Sequence, residues 1–246
     1  MSASVYLIPA PLSDKGLDMI PAAVTDAISR CQVFFVENER TTRRYFKQLW
    51  KQYRPGEEIV IDDYEWFGMV EGAQKNPVNT ASHAATVFRQ KLKEQKTIGI
   101  VSEAGCPGIA DPGQALVAIA QELNIPVKPL VGPSSLLLAL MASGMNGQQF
   151  RFHGYLPIDN AERIRSLREL EAESKKNNCT QLFIETPYRN NQMLDSILKT
   201  CKPGTRICVA LDITGSGEWI RTMTVARWQQ EARDLHKIPA LFLLQS

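Results

Sequence analysis

The stretch Ser102-Glu103-Ala104-Gly105-Cys106-Pro107-Gly108-Ile109-Ala110-Asp111-Pro112-Gly113 packs three glycines and two carboxylates into twelve residues. Glycine lets a backbone approach a ligand closely. Glu103 and Asp111 are acceptors suited to a ribose hydroxyl or an amino group. The spacing is neither the G-x-G-x-x-G fingerprint nor the G-x-x-x-x-G-K-[ST] loop, and no lysine follows the last glycine, so triphosphate binding is not supported. A turn-rich connection is the plain alternative. A second such stretch runs from Pro129 to Ser135. There Ser134 is placed to cap a helix, whose free first-turn amides can receive a carboxylate or another anion. An ordinary N-cap at a domain junction explains it equally well. Two more carboxylates, Glu185 in Phe183–Arg189 and Asp212 in Ala210–Thr214, fall at the ends of expected strands.

Cations supply the other cue. Arg40, Arg43, Arg44, Lys47, Lys51 and Arg54 fall on one face at about 100° per residue, with Tyr45, Phe46, Leu49, Trp50 and Tyr53 opposite. Such a row suits a phosphate backbone. It also suits a solvated helix face, particularly if acidic neighbours neutralise it.

These residues need elements to hold them. Val5–Ile8, Val33–Val36, Ile59–Ile61, Thr97–Val101 and Ile125–Leu130 read as short buried strands. Helices are expected over Pro21–Arg30, Arg40–Tyr53, Ser82–Lys93 and Gln114–Leu123, and a long loop over residues 62–79. Strands alternating with helices argue for a parallel sheet covered on both faces. After Gly132-Pro133 comes an apolar helix, Ser134–Ala142. Strands are then expected at Phe150–Leu156, Gln181–Glu185, Ile207–Leu211, Glu218–Val225 and Pro239–Leu244. Helices are expected at Ala161–Lys176, Asn190–Thr200 and Val225–Leu235. Gly215-Ser216-Gly217 between two strands suggests a hairpin and a mixed sheet. The expected fold is α/β, with a mostly parallel domain over residues 1–131 and a mixed one over 132–246.

Composition bounds the rest. The chain has 246 residues, 44% of them apolar, with 28 basic and 26 acidic side chains for a formal charge of +2. That is ordinary for a globular protein and too apolar for bulk disorder. Residues 1–131 carry 14 basic and 15 acidic groups, and residues 132–246 carry 14 and 11. Neither half is basic in bulk, so a nucleic-acid partner must rest on local clustering. No run approaches the roughly 20 apolar residues of a membrane span, and the first residues lack a signal-peptide pattern. A cytoplasmic protein with no membrane partner is expected. Five cysteines without C-x-x-C spacing and three scattered histidines give no metal constellation. Buried thiols are the expected state.

Taken in order, the motifs resemble those of the S-adenosylmethionine-dependent methyltransferases of the tetrapyrrole (corrin/porphyrin) methylase superfamily. The nearest likeness is to the branch that methylates the 2′-hydroxyl of a cytidine in 16S ribosomal RNA. The likeness runs from about Val5 to Leu244. It rests on Pro9-Ala10-Pro11, Glu37–Thr42, the Ser102–Gly113 loop, Gly132-Pro133-Ser134, Phe152–Pro157 and Glu185–Arg189. It implies two α/β domains with the methyl donor folded in a cleft between them, and a homodimer. It implies donor contacts from Pro9, Glu103, Ala104, Gly105, Ile109, Asp111, Ser134, Ser135, Ile184, Leu211, Ile238 and Pro239, with S-adenosylhomocysteine as product.

The likeness also points to an RNA, probed by the Arg40–Arg54 face, as acceptor. Glu37, Glu185 and Asp212 are candidates for the general base on family position and strand-end placement, and Arg40 for holding a phosphate or a developing oxyanion. This chemistry requires no metal. The chain departs from the ribosomal branch on the acceptor side. Asn38 and Thr41 stand for its Asp and His, Glu103 for its Asp, Leu12-Ser13-Asp14 for its Gly-Asn-Leu, and Gly215 for its Lys. Two other readings stay open: a methylase of a tetrapyrrole-like small molecule, and a non-catalytic binding protein that keeps the donor pocket.

Overall fold

The computed structural model describes residues 3–69, 77–231 and 233–246. The chain divides into two compact units, Met1–Pro133 and Ser134–Ser246. In the first, β1 (Ser4–Ile8), α1 (Ala23–Arg30), β2 (Val33–Val36), α2 (Glu39–Tyr53), β3 (Glu65–Gly68), α3 (Pro77–Lys93), β4 (Thr97–Val101), α4 (Gly113–Glu122) and β5 (Val127–Pro129) follow one another. The strands form one sheet in the order β3-β2-β4-β1-β5, and every pairing is parallel.

Both faces of this sheet are covered, which is why its central strands are apolar without a break. Alternation along the strand decides which layer each side chain joins. Phe34 and Val36 pack with Tyr6, Ile8 and Val101 under α1 and α2. Val33 and Phe35 pack with Val5, Ile98 and Ile100 under α3 and α4. Gly99 makes room for the first layer: a Cβ there would stand 2.5 Å from the Phe34 ring and 2.9 Å from Ile8 Cδ1.

The second unit holds α5 (Ser135–Ser143), β6 (Phe150–Tyr155), α6 (Asn160–Asn177), β7 (Thr180–Ile184), α7 (Asn190–Thr200), β8 (Arg206–Leu211), β9 (Trp219–Thr224), α8 (Val225–Trp228) and β10 (Ala240–Gln245). Its sheet runs β6-β7-β10-β8-β9. The β6–β7 pair is parallel and the others are antiparallel, so the sheet is mixed and β8–β9 is the expected hairpin. Phe183, Ile207, Val209 and Phe242 face a core shared with α6, α7 and α8. Leu182, Cys208, Ala210 and Leu243 face the apolar helix α5.

Three expectations need correction. Ile59–Ile61 is not a strand. Ile61–Asp63 is a 3-10 turn, and the strand lies at Glu65–Gly68, inside the expected loop. This edge strand is held by aromatic packing of Trp66 on Phe34 (5.0 Å between ring centres) and Phe67 on Phe35 (5.3 Å), which local turn formers outweigh in the sequence. Residues 70–76 of that loop lie outside the described residues, and α3 already starts at Pro77. The helix expected at Val225–Leu235 stops at Trp228. Tertiary bonds override helix propensity there: the Asn191 side chain accepts from the Leu235 N–H (2.8 Å) and donates to Asp234 (2.6 Å), while Leu235 is buried. Finally, Ser134 occupies the N-cap of α5 with extended backbone, but its side chain makes no capping hydrogen bond.

Candidate functional site

Four connections leave the carboxyl ends of β1, β2, β4 and β5, where parallel α/β sheets bind ligands. Register sets their neighbours. Val101 pairs with Val36 on one side and Ile8 on the other, so the segments starting at Ser102, Glu37 and Pro9 emerge side by side.

The β4 connection is tied down at each bend. Gly105 forms a two-bond antiparallel bridge with Ala10, at 2.9 and 3.0 Å. The Tyr45 hydroxyl, reaching across from α2, donates to the Pro9 carbonyl at 2.8 Å. Cys106 Sγ lies 3.4 Å from the Pro133 carbonyl. Asp111 closes the loop, accepting from Gly108 N–H (2.8 Å) and Gly113 N–H (2.7 Å). Gly105, Gly108 and Ala110 all take positive φ. For Ala110 this is a strained conformation, of the kind that clusters at ligand-binding segments. Pro9 packs on Gly132 so closely that a Cβ at 132 would fall 2.1 Å from Pro9 Cβ.

Three carboxylates meet here. Glu37 Oε1 accepts the Glu103 N–H (2.9 Å), and Glu103 Oε1 accepts from the Thr41 hydroxyl (2.5 Å). Burial, with the nearby charges of Asp111 and Glu103, raises Glu37 above the ordinary carboxylate range, although the Glu103 N–H offsets part of this. Burial likewise raises Asp111 against its two backbone donors. Ile109 is an exposed apolar side chain on the same loop. Thr41 and Tyr45 were not singled out by their sequence pattern. The signal for Thr41 is its place in the departing Glu37–Thr42 motif. Tyr45 reads only as part of the apolar helix face.

Arg40 stands in the first turn of α2, two residues after the cap Asn38, whose side chain accepts from Arg40 and Thr41 N–H. Arg40, Arg43, Arg44, Lys47 and Lys51 line a shallow groove of about 410 Å³. Acidic neighbours hold two members of the row. Arg43 pairs with Asp62 (2.7 Å) and Glu39 (3.3 Å). Arg54 pairs with Asp26 and, at 3.2 Å, with Glu57.

In the second unit, Ile184 ends β7, Leu211 ends β8, and Ile238-Pro239 lead into β10. The β10 pairings, Leu241 with Ile184 and Ala240 with Leu211, gather these at one end of the sheet. Glu185 is buried there. Its Oε1 accepts from Thr186 N–H and the Arg189 guanidinium, both at 2.6 Å. Asp212 adopts positive φ, donates its N–H to the Pro239 carbonyl (3.0 Å) and accepts from Gly217 N–H (2.8 Å). Its carboxylate lies over Gly215, where any Cβ would come within 2.1 Å of it. The structure thus joins Pro9, Glu37, Arg40, Glu103, Ala104, Gly105, Ile109 and Asp111 within one unit. It joins Glu185, Asp212, Ile184, Leu211, Ile238 and Pro239 within the other.

Among the described residues no three His, Cys, Asp or Glu side chains are placed to hold a metal ion. All five cysteines are free. No described helix is long and apolar enough to cross a membrane.

The family model of the Tetrapyrrole (Corrin/Porphyrin) Methylases matches residues 4–228. The chain belongs to this family. The tetrapyrrole methylase fold is also that of two solved structures. One is the methyltransferase CobJ (TM-score 0.60, 15% identical, 100% of this chain and 94% of that one). The other is uroporphyrin-III C-methyltransferase from Thermus thermophilus complexed with S-adenyl homocysteine (TM-score 0.51, 15% identical, 99% and 97%). Among curated relatives, this tetrapyrrole methylase is 34% identical over 225 residues to "Ribosomal RNA small subunit methyltransferase I" of Vibrio cholerae, covering 90% of this chain and 69% of the relative. The protein of the same name from Buchnera aphidicola is 28% identical over 236 residues, with 95% and 74% covered. That from Micromonospora olivasterospora is 32% identical, with 78% and 54% covered, so the match spans little more than half of that relative.

Proposed function

We propose that this chain is an S-adenosylmethionine-dependent methyltransferase that methylates a ribose 2′-hydroxyl of small-subunit ribosomal RNA in the cytoplasm. The observation that carries the reading is the match to relatives of that name across 90% of the chain. The residues of the β4 connection fit the donor. Glu103 is an acceptor for a ribose diol, the positive-φ positions bare the backbone, and exposed Ile109 offers an apolar surface to an adenine. When bound, the donor supplies an electrophilic methyl group on a sulfonium.

The other steps belong to side chains. Transfer to a hydroxyl depends chiefly on in-line placement. Glu37 is the leading proton acceptor, because its raised carboxyl is closer to neutrality than a solvated one. Arg40 faces phosphate or a developing oxyanion. Glu185, already bonded to Arg189, positions its strand end, and Asp212 shapes the 212–217 turn. Ser134, Ser135, Ile184, Leu211, Ile238 and Pro239 are assigned to the donor from the family likeness.

Calorimetric titration with S-adenosylhomocysteine is expected to give saturable one-to-one binding. Labelled methyl is expected to pass from S-adenosylmethionine to small-subunit RNA from cells lacking the protein. No donor binding overturns methyltransferase activity altogether. Binding without transfer to this RNA overturns the acceptor. We also assign a homodimer, supported by exposed Leu137, Met141, Phe150, Tyr155 and Ile158 in the second unit. Light scattering is expected to give twice the 27.5 kDa chain mass, and a monomer overturns it.

A further inference from the structure

The second unit carries a cavity of about 520 Å³ that none of the assignments above uses. It lies where the short helix α8 ends beside β9. β9 is the edge strand of its sheet, and its alternate residues Trp219, Arg221 and Met223 share one face. Trp219 and Met223 pack against the core that holds Trp228. Arg221 is therefore an exposed cation on an otherwise apolar face. The chain turns after Trp228, whose indole N–H is anchored on the Ile207 carbonyl at 2.9 Å. Arg227, Glu231 and Arg233 then complete the wall.

Two properties define what such a wall accepts. Three guanidiniums against one carboxylate select an anion. The Trp219 ring carries the exposed Arg233 guanidinium 4.0 Å from its centre, with Trp228 edge-on at 5.9 Å, so the guanidinium is a flat plane backed by an aromatic ring. Phosphate on arginine beside a base on an aromatic or guanidinium plane is how single-stranded nucleic acid is held. The volume suits one nucleotide. An acidic peptide would match the charge but leave the stacked guanidinium plane unused.

We propose that this cavity binds one nucleotide of single-stranded RNA, its phosphate on Arg221 and Arg227 and its base stacked on the Arg233 guanidinium that Trp219 supports. The choice of ligand rests on the RNA reading above, and the site serves to hold substrate at a distance from the reacting hydroxyl.

The probe is a ten-nucleotide oligocytidylate titrated into the full chain, followed by tryptophan fluorescence at several salt concentrations. Arg221→Gln with Arg227→Gln is expected to weaken binding about tenfold and to flatten the salt dependence by one to two phosphates' worth. S-adenosylhomocysteine affinity and Tm are expected to stay at parental values, since both arginines are exposed. Trp219→Phe is expected to retain binding that Trp219→Leu loses, which separates stacking from simple loss of charge. Parental oligonucleotide affinity in the double arginine variant overturns the proposal. So does displacement of the oligonucleotide by polyglutamate at equal charge concentration. Failure is distinguishable from failure of the enzyme reading. Methyl transfer to ribosomal RNA with unchanged variant binding sinks only this site. Lost variant binding without any methyl transfer sinks only the acceptor assignment.

Discussion

Glu37, the proposed proton acceptor, is the residue at which stability and the proposed chemistry pull in opposite directions. It follows the buried strand β2, accepts the Glu103 N–H, and shares its surroundings with Asp111 and Glu103. A carboxyl raised by burial and like charge binds its proton more tightly folded than unfolded. Its ionised form therefore costs stability, and the cost grows as pH rises from the ordinary carboxylate range through the raised value. Glu37→Gln keeps an acceptor for Glu103 and removes the charge. The variant is expected to melt at or up to about 2 °C above the parent at pH 8. At about pH 4, where the parent is itself protonated, the gain is expected to vanish. Methyl transfer is expected to drop at least about 100-fold, within the usual range for a general base. Melting curves at the two pH values check the first claim; a variant less stable than the parent at pH 8 rejects it. The thiols show the opposite case, burial without chemistry. Cys201 is pushed up to about 12 and Cys208 to about 11, so both remain un-ionised at neutral pH.

At the scale of elements, unbroken apolar runs and periodic helices are legible in the sequence, and segments held by distant partners are not. Val33–Val36, Thr97–Val101 and Asn190–Thr200 appear with the bounds their patterns give, because an unbroken apolar run or a 3.6-residue period leaves one way to bury it. β3 is hidden in the sequence because Trp66 and Phe67 stand among turn formers, and the rings they pack on, Phe34 and Phe35, come from β2. α8 is shorter than its pattern suggests because Asn191, 43 and 44 residues away, pins Asp234 and Leu235 outside any helix. The Gly, Pro and acid content of the β4 connection marks it in the sequence as more than a plain turn, and the structure shows it closed by Asp111 and bridged to Ala10. Its ties are not legible in the sequence, since Tyr45 on Pro9 and Ala10 on Gly105 depend on strand order. Those ties make a prediction. The Pro9 carbonyl is fixed by Tyr45, and Gly132 lies against its ring, so neither side can yield to a new methyl group. Gly132→Ala is expected to cost about 1–3 kcal/mol in denaturant unfolding, as overpacking does. It is also expected to weaken S-adenosylhomocysteine binding by shifting Pro9. Parental stability and affinity together would show that the Pro9–Gly132 contact does not support the loop.

For the whole molecule, a charge of +2 says little, because its distribution decides what approaches. The α2 row separates into two classes. Arg43 and Arg54 are half-buried and ion-paired. Arg43 lies over Trp66 of β3 at 5.4 Å, and Arg54, folded back over Trp50 at 5.2 Å, reaches Asp26 of α1, so both tie α2 to its surroundings. Arg40, Arg44, Lys47 and Lys51 are exposed along the groove. Among the described residues only the second class is free of protein carboxylates, which narrows the proposed RNA footprint on this helix from six cations to four. The two classes should respond differently. Arg44→Gln, Lys47→Gln and Lys51→Gln combined are expected to leave Tm unchanged and to flatten the slope of log affinity for ribosomal RNA against log salt by about 2, at roughly 0.7–0.9 per lost phosphate contact. Arg43→Gln with Arg54→Gln is expected to lower Tm instead, with little change in slope, because the lost partners are protein carboxylates and rings. Filter binding across a salt series, with melting curves on the same preparations, reads both. Equal slopes for the parent and the triple variant would remove α2 from the RNA surface and leave the β9 cavity as the assigned contact.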